Sequence, residues 1–350
     1  MTEHEKYMER CLWLAAAGAG QVDPNPMVGS VIVCRGRIIG EGFHREYGGP
    51  HAEVHAVASV TRPELLPEST LYVNLEPCAH HGKTPPCADL IIARGIPRVV
   101  VGTRDPFPSV NGRGIEKLRH AGVEVVTGIL EEECRELNRR FLTFHEKGRP
   151  WVILKWAQSA DGFMDRERQE EEMGRPVWIT GTDARRLVHR SRAQEAAILV
   201  GRITAETDNP ALTTRDWSGP HPLRMVLDPS GRLPHHLRLF DLSTPTVVVT
   251  QHPWSEKENL SFLKVFPGED LPSRILEYLR AARKLSLIVE GGRNTLQGFL
   301  DAGLWDEAHV YTGRVWFGKG IPAPRAGGKS VAMDPLGDSL LTVLRHPHPK

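Results

Sequence analysis

The chain has 350 residues, longer than the roughly 100–200 residues of a typical single domain, so two domains are expected. Hydrophobic residues make up 40% and charged residues 25% of the sequence, a composition typical of globular proteins that argues against disorder. Lysine plus arginine (44) nearly balances aspartate plus glutamate (43), so the chain lacks the net positive charge with which proteins hold nucleic acids.

The first half predicts helices and strands in alternation, with helix ends at glycines and buried strands rich in valine and isoleucine. In chain order we predict a helix at Tyr7–Gly18, strands at Val28–Val33 and Arg37–Gly42, a helix at Ala52–Val60, a strand at Thr70–Leu75, a helix at Ala88–Ala93, a strand at Arg98–Gly102, a helix at Gly114–Ala121, a strand at Val123–Thr127 and a helix at Glu131–His145. Only the first strand pair, joined by a turn at Gly36, is predicted to be antiparallel. The pattern indicates a sheet covered by helices.

The polar segment 146–150 contains a helix stop and predicts a domain boundary, which gives domains at 1–147 and 151–346. The second half predicts a further α/β domain, with strands at Trp151–Ala157, Ala197–Val200, Leu223–Leu227, Thr246–Thr250, Ser286–Val289 and Glu307–Tyr311 and helices at Asp183–Arg192, Ser273–Ala282 and Thr295–Ala302. The charged run Arg166–Glu172 shows no apolar period, and we interpret it as a solvated loop or surface helix.

The strongest functional signal is a set of metal-binding residue types near the starts of two predicted helices. His51 precedes the first of these helices, Cys78 follows a strand, and Cys87 begins the second helix. One imidazole and two thiolates are strong zinc ligands, and three ligands leave a tetrahedral position for water, as catalytic zinc sites do. The sequence therefore predicts a hydrolytic zinc centre with His51, Cys78 and Cys87 as ligands.

Glu53 is the predicted catalytic residue, because it lies two positions after His51 and is placed to reach the water without binding the metal. In zinc deaminases a His-x-Glu motif and two cysteines divide the work in this way, and the glutamate moves protons. The helix start at Cys87 is expected to keep that residue as a thiolate. Each residue alone is more often a packed core residue, but the set predicts hydrolytic deamination of an amino-pyrimidine.

Eight residues separate the two cysteines, where the common deaminase signature has two. The intervening segment 79–86 begins and ends at predicted ligands, so we expect it to lie beside the metal. It contains His80, His81, Lys83 and Thr84, whose side chains suit a phosphorylated substrate. Two other interpretations remain open: the histidines are solvated, or one of them is a fourth ligand that closes the site.

The sequence closely resembles the family of bifunctional riboflavin biosynthesis deaminase/reductases. The resemblance rests on the zinc residues and on Pro24–Pro26, Thr103–Pro106, Gly112–Gly114, Leu137–Asn138, Phe141, Lys155–Gly162, Trp178–Thr180, Arg192–Gln194, Thr204, Asp208–Thr213 and Glu290–Gly292. It implies a cytidine-deaminase-like three-layer α/β/α domain followed by a dihydrofolate-reductase-like α/β domain. It also implies hydrolytic deamination of 2,5-diamino-6-ribosylamino-4(3H)-pyrimidinone 5′-phosphate, followed by NADPH-dependent reduction of the ribosyl group to ribityl.

The resemblance further implies residue roles. Glu53 would transfer protons and His51, Cys78 and Cys87 would bind Zn²⁺, while the deaminase substrate pocket would be lined by Asn25, His44, His80, Lys83 and Thr84. NADPH would contact Gln158, Trp178, Thr204, Asp208, Gly292, Asn294 and Thr295. The reductase substrate would contact Lys155, Arg192, Leu212, Arg215 and Glu290. The glycines after Glu290 also lie between a predicted strand and helix, where backbone N–H groups can bind a pyrophosphate.

The partners and location are expected to be those of a cytoplasmic enzyme. The N-terminal residues lack a basic leader, and no stretch approaches the roughly 18 apolar residues of a membrane span. Five cysteines are too few, and odd in number, for a disulfide framework. We expect a small-molecule pyrimidine ribonucleotide substrate, no nucleic-acid or membrane partner, and assembly into a homo-oligomer.

Two alternative functions stay open at this stage. The first is a zinc deaminase of another base or nucleoside, joined to an inactive or unrelated second domain. The second is a binding module in which zinc is purely structural, so that Glu53 has no chemical role.

Overall fold

The computed structural model describes residues 1–79, 85–107, 110–252 and 255–347. The chain divides into two compact units, Met1–Gly148 and a second that begins at Arg149. No helix in the described ranges is both long enough and apolar enough to cross a lipid bilayer.

The first unit is a twisted sheet with helices on both faces. Its elements are α1 (Glu3–Ala16), β1 (Gly29–Cys34), β2 (Arg37–Phe43), α2 (Ala52–Ala58), β3 (Thr70–Leu75), α3 (Cys87–Ala93), β4 (Arg98–Thr103), α4 (Arg113–His120), β5 (Glu124–Thr127), α5 (Glu131–Leu137) and α6 (Arg139–Glu146). The sheet order is β2-β1-β3-β4-β5. Strand β1 is antiparallel to β3 as well as to β2, so the prediction of a single antiparallel pair was wrong.

The three central strands of this sheet, β1, β3 and β4, are buried on both faces, and this explains their runs of β-branched residues. Ile32 faces a core that includes Val57 of α2, whereas its neighbours Val31 and Val33 face a second core that includes Met8 of α1. Because successive side chains of a strand point to opposite faces, the alternation along β1 specifies a three-layer α/β/α arrangement.

The predicted helix Glu131–His145 is two helices, because Asn138 interrupts it. The Asn138 side chain accepts the N–H of Met27 at 2.8 Å and donates to the Met27 carbonyl at 2.9 Å. These bonds tie the junction of α5 and α6 to the segment that carries Asn25, one of the predicted site residues. A periodic pattern that continues across Asn138 cannot reveal this interruption, since it depends on a residue 111 positions away.

The second unit is a larger, mostly parallel sheet. Its elements are β6 (Trp151–Gln158), β7 (Phe163–Asp165), α7 (Thr182–Gln194), β8 (Ala197–Gly201), α8 (Arg202–Asp208), β9 (Leu223–Leu227), β10 (Thr246–Thr250), β11 (Leu260–Lys264), α9 (Leu271–Ala281), β12 (Ser286–Val289), α10 (Arg293–Ala302), β13 (Glu307–Thr312), β14 (Ile321–Pro322), β15 (Lys329–Leu336) and β16 (Ser339–Arg345). Among the described residues the main sheet has the order β11-β10-β9-β8-β12-β6-β13-β16-β15.

The four central strands of this sheet, β8, β12, β6 and β13, run parallel. Their carboxyl ends therefore meet at one edge, which is where open α/β sheets bind their ligands. Strand β16 returns antiparallel to both β13 and β15. The sequence predicted no helix or strand beyond Tyr311, because most of β15 is exposed and carries no apolar alternation.

A buried ion pair fixes the start of the second unit. The Arg149 guanidinium donates two hydrogen bonds to the Asp306 carboxylate, at 2.7 and 2.8 Å, and Asp306 also accepts the N–H of Val152 at 2.8 Å. Both charges are fully paired and hydrogen-bonded, as buried ions require. The pair joins the beginning of β6 to the beginning of β13.

Candidate active sites

The three predicted metal ligands lie together in the first unit. Nδ1 of His51 is 3.3 Å from Sγ of Cys87 and 3.5 Å from Sγ of Cys78, and the three ligand atoms lie within 4.8 Å of one another. His51 is the N-cap of α2, Cys87 is the first residue of α3, and Cys78 follows β3. Zinc bonds of about 2.0–2.3 Å in tetrahedral geometry separate ligand atoms by about 3.3–3.8 Å, so this donor set fits Zn²⁺.

The two thiols of this cluster differ in pKa. The thiol of Cys87 and its backbone N–H, 3.3 Å away, both donate to Sγ of Cys78. Bonding from Cys87 and from His51 lowers the pKa of Cys78 to about 4, whereas the adjacent Cys78 and burial raise the pKa of Cys87. The prediction that the helix start keeps Cys87 as a thiolate concerns the zinc-bound residue and stays a prediction, although its N–H donates to the other sulfur.

Glu53 is buried beside this cluster, with only 3% of its surface exposed. It lies in the first turn of α2, and its carboxyl interacts with the Cys87 thiol and with His51. Burial raises the pKa of Glu53, because desolvation penalises its charged form. A carboxyl with a raised pKa beside a metal site can accept a proton and return it near neutral pH.

Two of the predicted pocket residues form a hydrogen-bonded pair next to His51. Nδ1 of His44 donates to the Pro50 carbonyl at 3.0 Å, so Nε2 is the acceptor for the Asn25 amide at 3.0 Å. The His44 and His51 rings meet edge to face, with centroids 5.6 Å apart. The predicted pocket residues His80, Lys83 and Thr84 lie outside the described residues, as does His81, the other histidine considered as a fourth ligand.

Glu76 and Asp105 are buried acidic residues near this site that sequence analysis did not assign. The Glu76 carboxylate accepts the N–H groups of Gly112 and Gly114, each at 2.9 Å, and of Ile115 at 3.2 Å. Burial raises the pKa of Asp105 to about 7, and the nearby Cys78 contributes to that rise. The position of Glu76, directly between a buried strand and the Pro-Cys motif, was the available signal.

In the second unit the predicted substrate residues Lys155, Arg192 and Glu290 form one buried charge cluster. Arg192 donates two hydrogen bonds to Glu290, at 2.9 and 2.6 Å, and a third to the Thr213 carbonyl at 3.3 Å. Nζ of Lys155 lies 3.8 Å from Glu290 and over the Tyr311 ring. Burial lowers the pKa of Lys155, since desolvation disfavours the ammonium.

The predicted NADPH turn lies at the carboxyl end of β12. Gly292 is the N-cap of α10, and the Gly291 carbonyl accepts the N–H of Gly201 from β8 at 2.8 Å. A methyl group placed on Gly201 would lie 2.4 Å from Oγ1 of Thr295, and one on Gly292 would lie 2.9 Å from Oγ1 of Thr204. The structure thus brings Thr204, Gly292 and Thr295 together. Backbone N–H groups at a helix start and hydroxyl groups suit a dinucleotide phosphate.

Four other residues predicted for the reductase site differ in their burial and contacts. Asn294 is exposed in the first turn of α10. Gln158 ends β6 and accepts the Trp156 indole N–H at 2.9 Å. Trp178 is 57% exposed, and the Arg185 guanidinium lies 5.0 Å from its ring centroid. Leu212 is buried with a positive φ of 52°.

The interpretation of the run Arg166–Glu172 as a solvated segment was wrong for Arg168, whose side chain is only 7% exposed. Arg168 donates to Asp208 and to Asp165, each at 2.7 Å, and to the carbonyls of Arg175 and Thr207. Asp208 is a predicted NADPH residue, so the charged run reaches the predicted cofactor site. The run's charge pattern could not separate the one buried arginine from its exposed neighbours.

Comparison with known proteins finds a matching family model in each half of the chain. The model of the RibD C-terminal domain matches residues 150–337, and that of the cytidine and deoxycytidylate deaminase zinc-binding region matches residues 1–103. The riboflavin biosynthesis protein RibD of Aquifex aeolicus is 40% identical over 336 residues, which cover 93% of this chain and 91% of the relative. RibD of Escherichia coli is 39% identical over 328 residues, covering 88% and 87% of the two chains.

A solved structure gives the same result. The diaminohydroxyphosphoribosylaminopyrimidine deaminase/5-amino-6-(5-phosphoribosylamino)uracil reductase of Thermotoga maritima matches with a TM-score of 0.89 and 38% identity, and the match covers 98% of each chain. A cytidine-deaminase-like domain with a His/Cys/Cys site, followed by a dihydrofolate-reductase-like domain, defines a bifunctional deaminase and reductase. The chain belongs to the RibD family of riboflavin biosynthesis, whose members are zinc-dependent deaminases and NADPH-dependent reductases.

Proposed function

We propose residue roles for the two reactions. The observation that carries the deaminase assignment is the convergence of His51, Cys78 and Cys87 with the buried Glu53 beside them. Zn²⁺ bound by these residues supplies the Lewis acidity that makes water a nucleophile at neutral pH. Glu53 would take one proton from the water and give it to the ring nitrogen, and would then pass the second proton, from the hydroxyl added to the ring carbon, to the amino group that leaves as ammonia.

The Asn25–His44 pair is proposed to orient the pyrimidine. His44 is buried, and its pKa is lowered by burial, so the ring is neutral and its tautomer is fixed by the Pro50 carbonyl. The Asn25 amide, which donates to His44, is in turn held in one orientation with its oxygen available to the substrate. His80, Lys83 and Thr84 are proposed to complete this pocket, as the family resemblance implies.

For the reductase we propose that the dinucleotide is bound by Gln158, Trp178, Thr204, Asp208, Gly292, Asn294 and Thr295. NADPH supplies the hydride, so the protein's task is to hold the sugar carbon against the cofactor. Lys155, Arg192, Leu212, Arg215 and Glu290 are proposed to hold the substrate. Arg192 already pairs with Glu290 through two hydrogen bonds and donates a third to the Thr213 carbonyl, so Arg215 is the arginine proposed to bind the phosphate.

We further propose a deaminase domain at 1–147, a reductase domain at 151–346, a cytoplasmic location, and no nucleic-acid or membrane partner. The proposed homo-oligomer would form through β15. This strand lies at the end of the main sheet, where it pairs with β16 alone among the described strands and exposes Val331 and Met333. Such an edge favours pairing with another chain.

The deciding experiment compares the parent chain with Glu53→Gln on the ribosylaminopyrimidine phosphate, with zinc content measured on the same samples. The variant is expected to retain zinc and lose at least about 100-fold in ammonia release, because it removes proton transfer but no metal ligand. Glu64→Gln, at an exposed surface ion pair, is the matched control. Unchanged ammonia release by Glu53→Gln would contradict the role of Glu53 and favour a structural zinc.

Substrate class is tested by product identification with and without NADPH. The parent chain is expected to give the deaminated ribosylamino product without NADPH and the ribitylamino product with it. Faster ammonia release from cytidine or adenosine than from the phosphorylated pyrimidine would favour the alternative of a deaminase joined to an inactive second domain.

A further inference from the structure

Helix α7 makes three successive contacts with the loop 213–216, which carries Arg215. Nη1 of Arg192 donates to the Thr213 carbonyl at 3.3 Å, Nδ1 of His189 accepts the N–H of Arg215 at 2.9 Å, and Nε of Arg185 lies 3.2 Å from the Asp216 carboxylate. Residues spaced by three or four positions share one face of a helix. The loop therefore lies along this face of α7, with His189 at the middle contact.

Of these three contacts, only the one made by His189 requires an uncharged side chain. His189 is only 2% exposed, and its Nδ1 must carry no proton in order to accept the Arg215 N–H. Nε2 then carries the ring proton and lies 3.8 Å from the Asp216 carboxylate. Burial, together with Arg192 and Arg215, lowers the pKa of His189 to about 4, while Asp216 and Glu290 oppose this shift. The ring is neutral at neutral pH.

Arg215 differs from the neighbouring Arg192 in what its guanidinium contacts. Arg192 is paired with Glu290, whereas no carboxylate in the described part of the chain lies within ion-pair distance of the exposed Arg215 guanidinium. Partial desolvation and the proximity of Arg192 lower the pKa of Arg215. A cation without a carboxylate partner beside a second arginine is suited to a phosphate monoester.

We propose that His189 is a positioning residue that fixes the backbone of Arg215, so that the Arg215 guanidinium is presented to the phosphate of the reductase substrate. This inference rests on the proposed role of Arg215 and goes beyond it, because His189 itself does not contact the substrate. Without the acceptor, the Arg215 N–H loses its partner and the loop loses the middle of its three anchors. A phosphate contact that binds the ground state and the transition state equally contributes uniform binding, so its displacement raises KM and leaves kcat unchanged.

The test uses three substitutions of His189 with different acceptor positions. His189→Leu removes the acceptor, His189→Asn keeps an amide oxygen near the Nδ1 position, and His189→Gln places one near the Nε2 position instead. His189→Leu and His189→Gln are expected to raise the reductase KM for the phosphorylated substrate about tenfold and to leave kcat within about twofold. His189→Asn is expected to restore KM to within about threefold of the parent value.

Binding provides a readout that is independent of turnover. Ribose 5-phosphate is the probe, and its competition with substrate is expected to weaken by the same factor as KM in His189→Leu. NADPH affinity and ammonia release by the first unit should not change, which also shows that the variants are folded. If His189→Leu does not fold, the comparison of His189→Asn with His189→Gln still decides the question, because both side chains are polar and differ in where the oxygen lies.

Arg215→Ala separates failure of this inference from failure of the proposed function. If Arg215→Ala raises KM but all three His189 variants match the parent, the positioning role is wrong and the role of Arg215 stands. If Arg215→Ala leaves KM and ribose 5-phosphate binding unchanged, the proposed phosphate site is itself wrong. Equal KM values for His189→Asn and His189→Leu would also overturn the inference, since the acceptor would then be irrelevant.

Discussion

At the scale of single residues, two buried carboxylates show how surroundings set a chemical role. Burial, with a smaller contribution from Cys78, raises the pKa of Glu53, which suits a group that must gain and lose a proton. Burial also acts on Glu290, but Arg192 and Lys155 outweigh it and lower its pKa to about 2. Glu290 therefore stays ionised and can hold cationic side chains in place, whereas Glu53 is proposed to exchange protons. The sequence does not show which charged groups surround each of these two carboxylates, so it cannot predict that their pKa values shift in opposite directions.

His189 also predicts a pH dependence of stability. Its pKa is lowered from an ordinary value of 6.5 to about 4, so the unfolded chain binds more protons than the native chain between these two pH values. The stability from a neutral His189 is thus fully present above pH 6.5 and is lost as pH falls toward 4. The upper limit of this contribution is about 3 kcal/mol.

The measurement is urea unfolding of the second unit at pH 7 and at pH 4.5. The parent is expected to lose more stability between these values than His189→Asn, which keeps an acceptor and cannot titrate. His221→Asn is a matched control, because His221 also accepts a loop N–H, that of Thr214 at 3.2 Å. Parallel pH profiles for the parent and His189→Asn would show that His189 does not carry this linkage.

At the scale of elements, the segment 166–175 is joined to the end of α8 by two kinds of contact. Arg168 donates to the Thr207 carbonyl at 3.0 Å and to Asp208, and the Gly174 N–H donates to the same Thr207 carbonyl at 2.8 Å. These contacts hold Asp208, a proposed NADPH residue, against a segment that is otherwise mostly exposed. A charged segment can thus help to build a site through a single buried side chain.

Arg168→Gln is expected to loosen this segment and to weaken NADPH binding by about tenfold, because several charge-assisted hydrogen bonds are lost. Hydrogen exchange of the Gly174 amide should become faster, and ammonia release should stay at the parent rate. Arg166→Gln, which removes an exposed pair with Glu172, is the control and should change neither quantity. Unchanged NADPH affinity together with faster exchange would assign Arg168 a structural role only.

At the scale of the whole molecule, each unit has its own core and its own proposed ligand. Ligands stabilise the unit that binds them in its folded form. NADPH at about 100 times its Kd should stabilise the second unit by about 2.7 kcal/mol, which corresponds to several degrees in Tm for a domain of this size. Removal of zinc by a chelator should lower the transition of the first unit, because the thiolates lose their common partner.

Differential scanning calorimetry of the full chain, with each treatment alone and with both, checks this prediction. Cys87→Ser is the control for chelation, since a chain with a weakened metal site should respond little to the chelator. If saturating NADPH shifts neither transition, the proposed cofactor site in the second unit is wrong.

Local residue patterns were sufficient for the class of fold, the metal ligands' proximity and the predicted catalytic glutamate. The metal ligands and the glutamate lie near the ends of strands and helices, which the periodic spacing of nearby apolar residues predicts: His51, Glu53, Cys78 and Cys87. Helices that begin at one edge of a sheet bring such residues together. The resemblance to a known family supplied the reactions, and the matching relatives and the Thermotoga structure confirm that family.

Tertiary structure alone decided which charges are paired and which strands meet. The break at Asn138, the hairpin of β15 and β16, the bond from the Cys87 N–H to Sγ of Cys78 and the burial of the Arg168 side chain each depend on groups that a local pattern cannot include. The contact of His189 with Arg215 joins residues 26 positions apart through a backbone N–H, which has no side-chain signature. Periodicity reports whether a residue faces a core, whereas hydrogen-bond partners and pKa values depend on atoms brought together only when the chain folds.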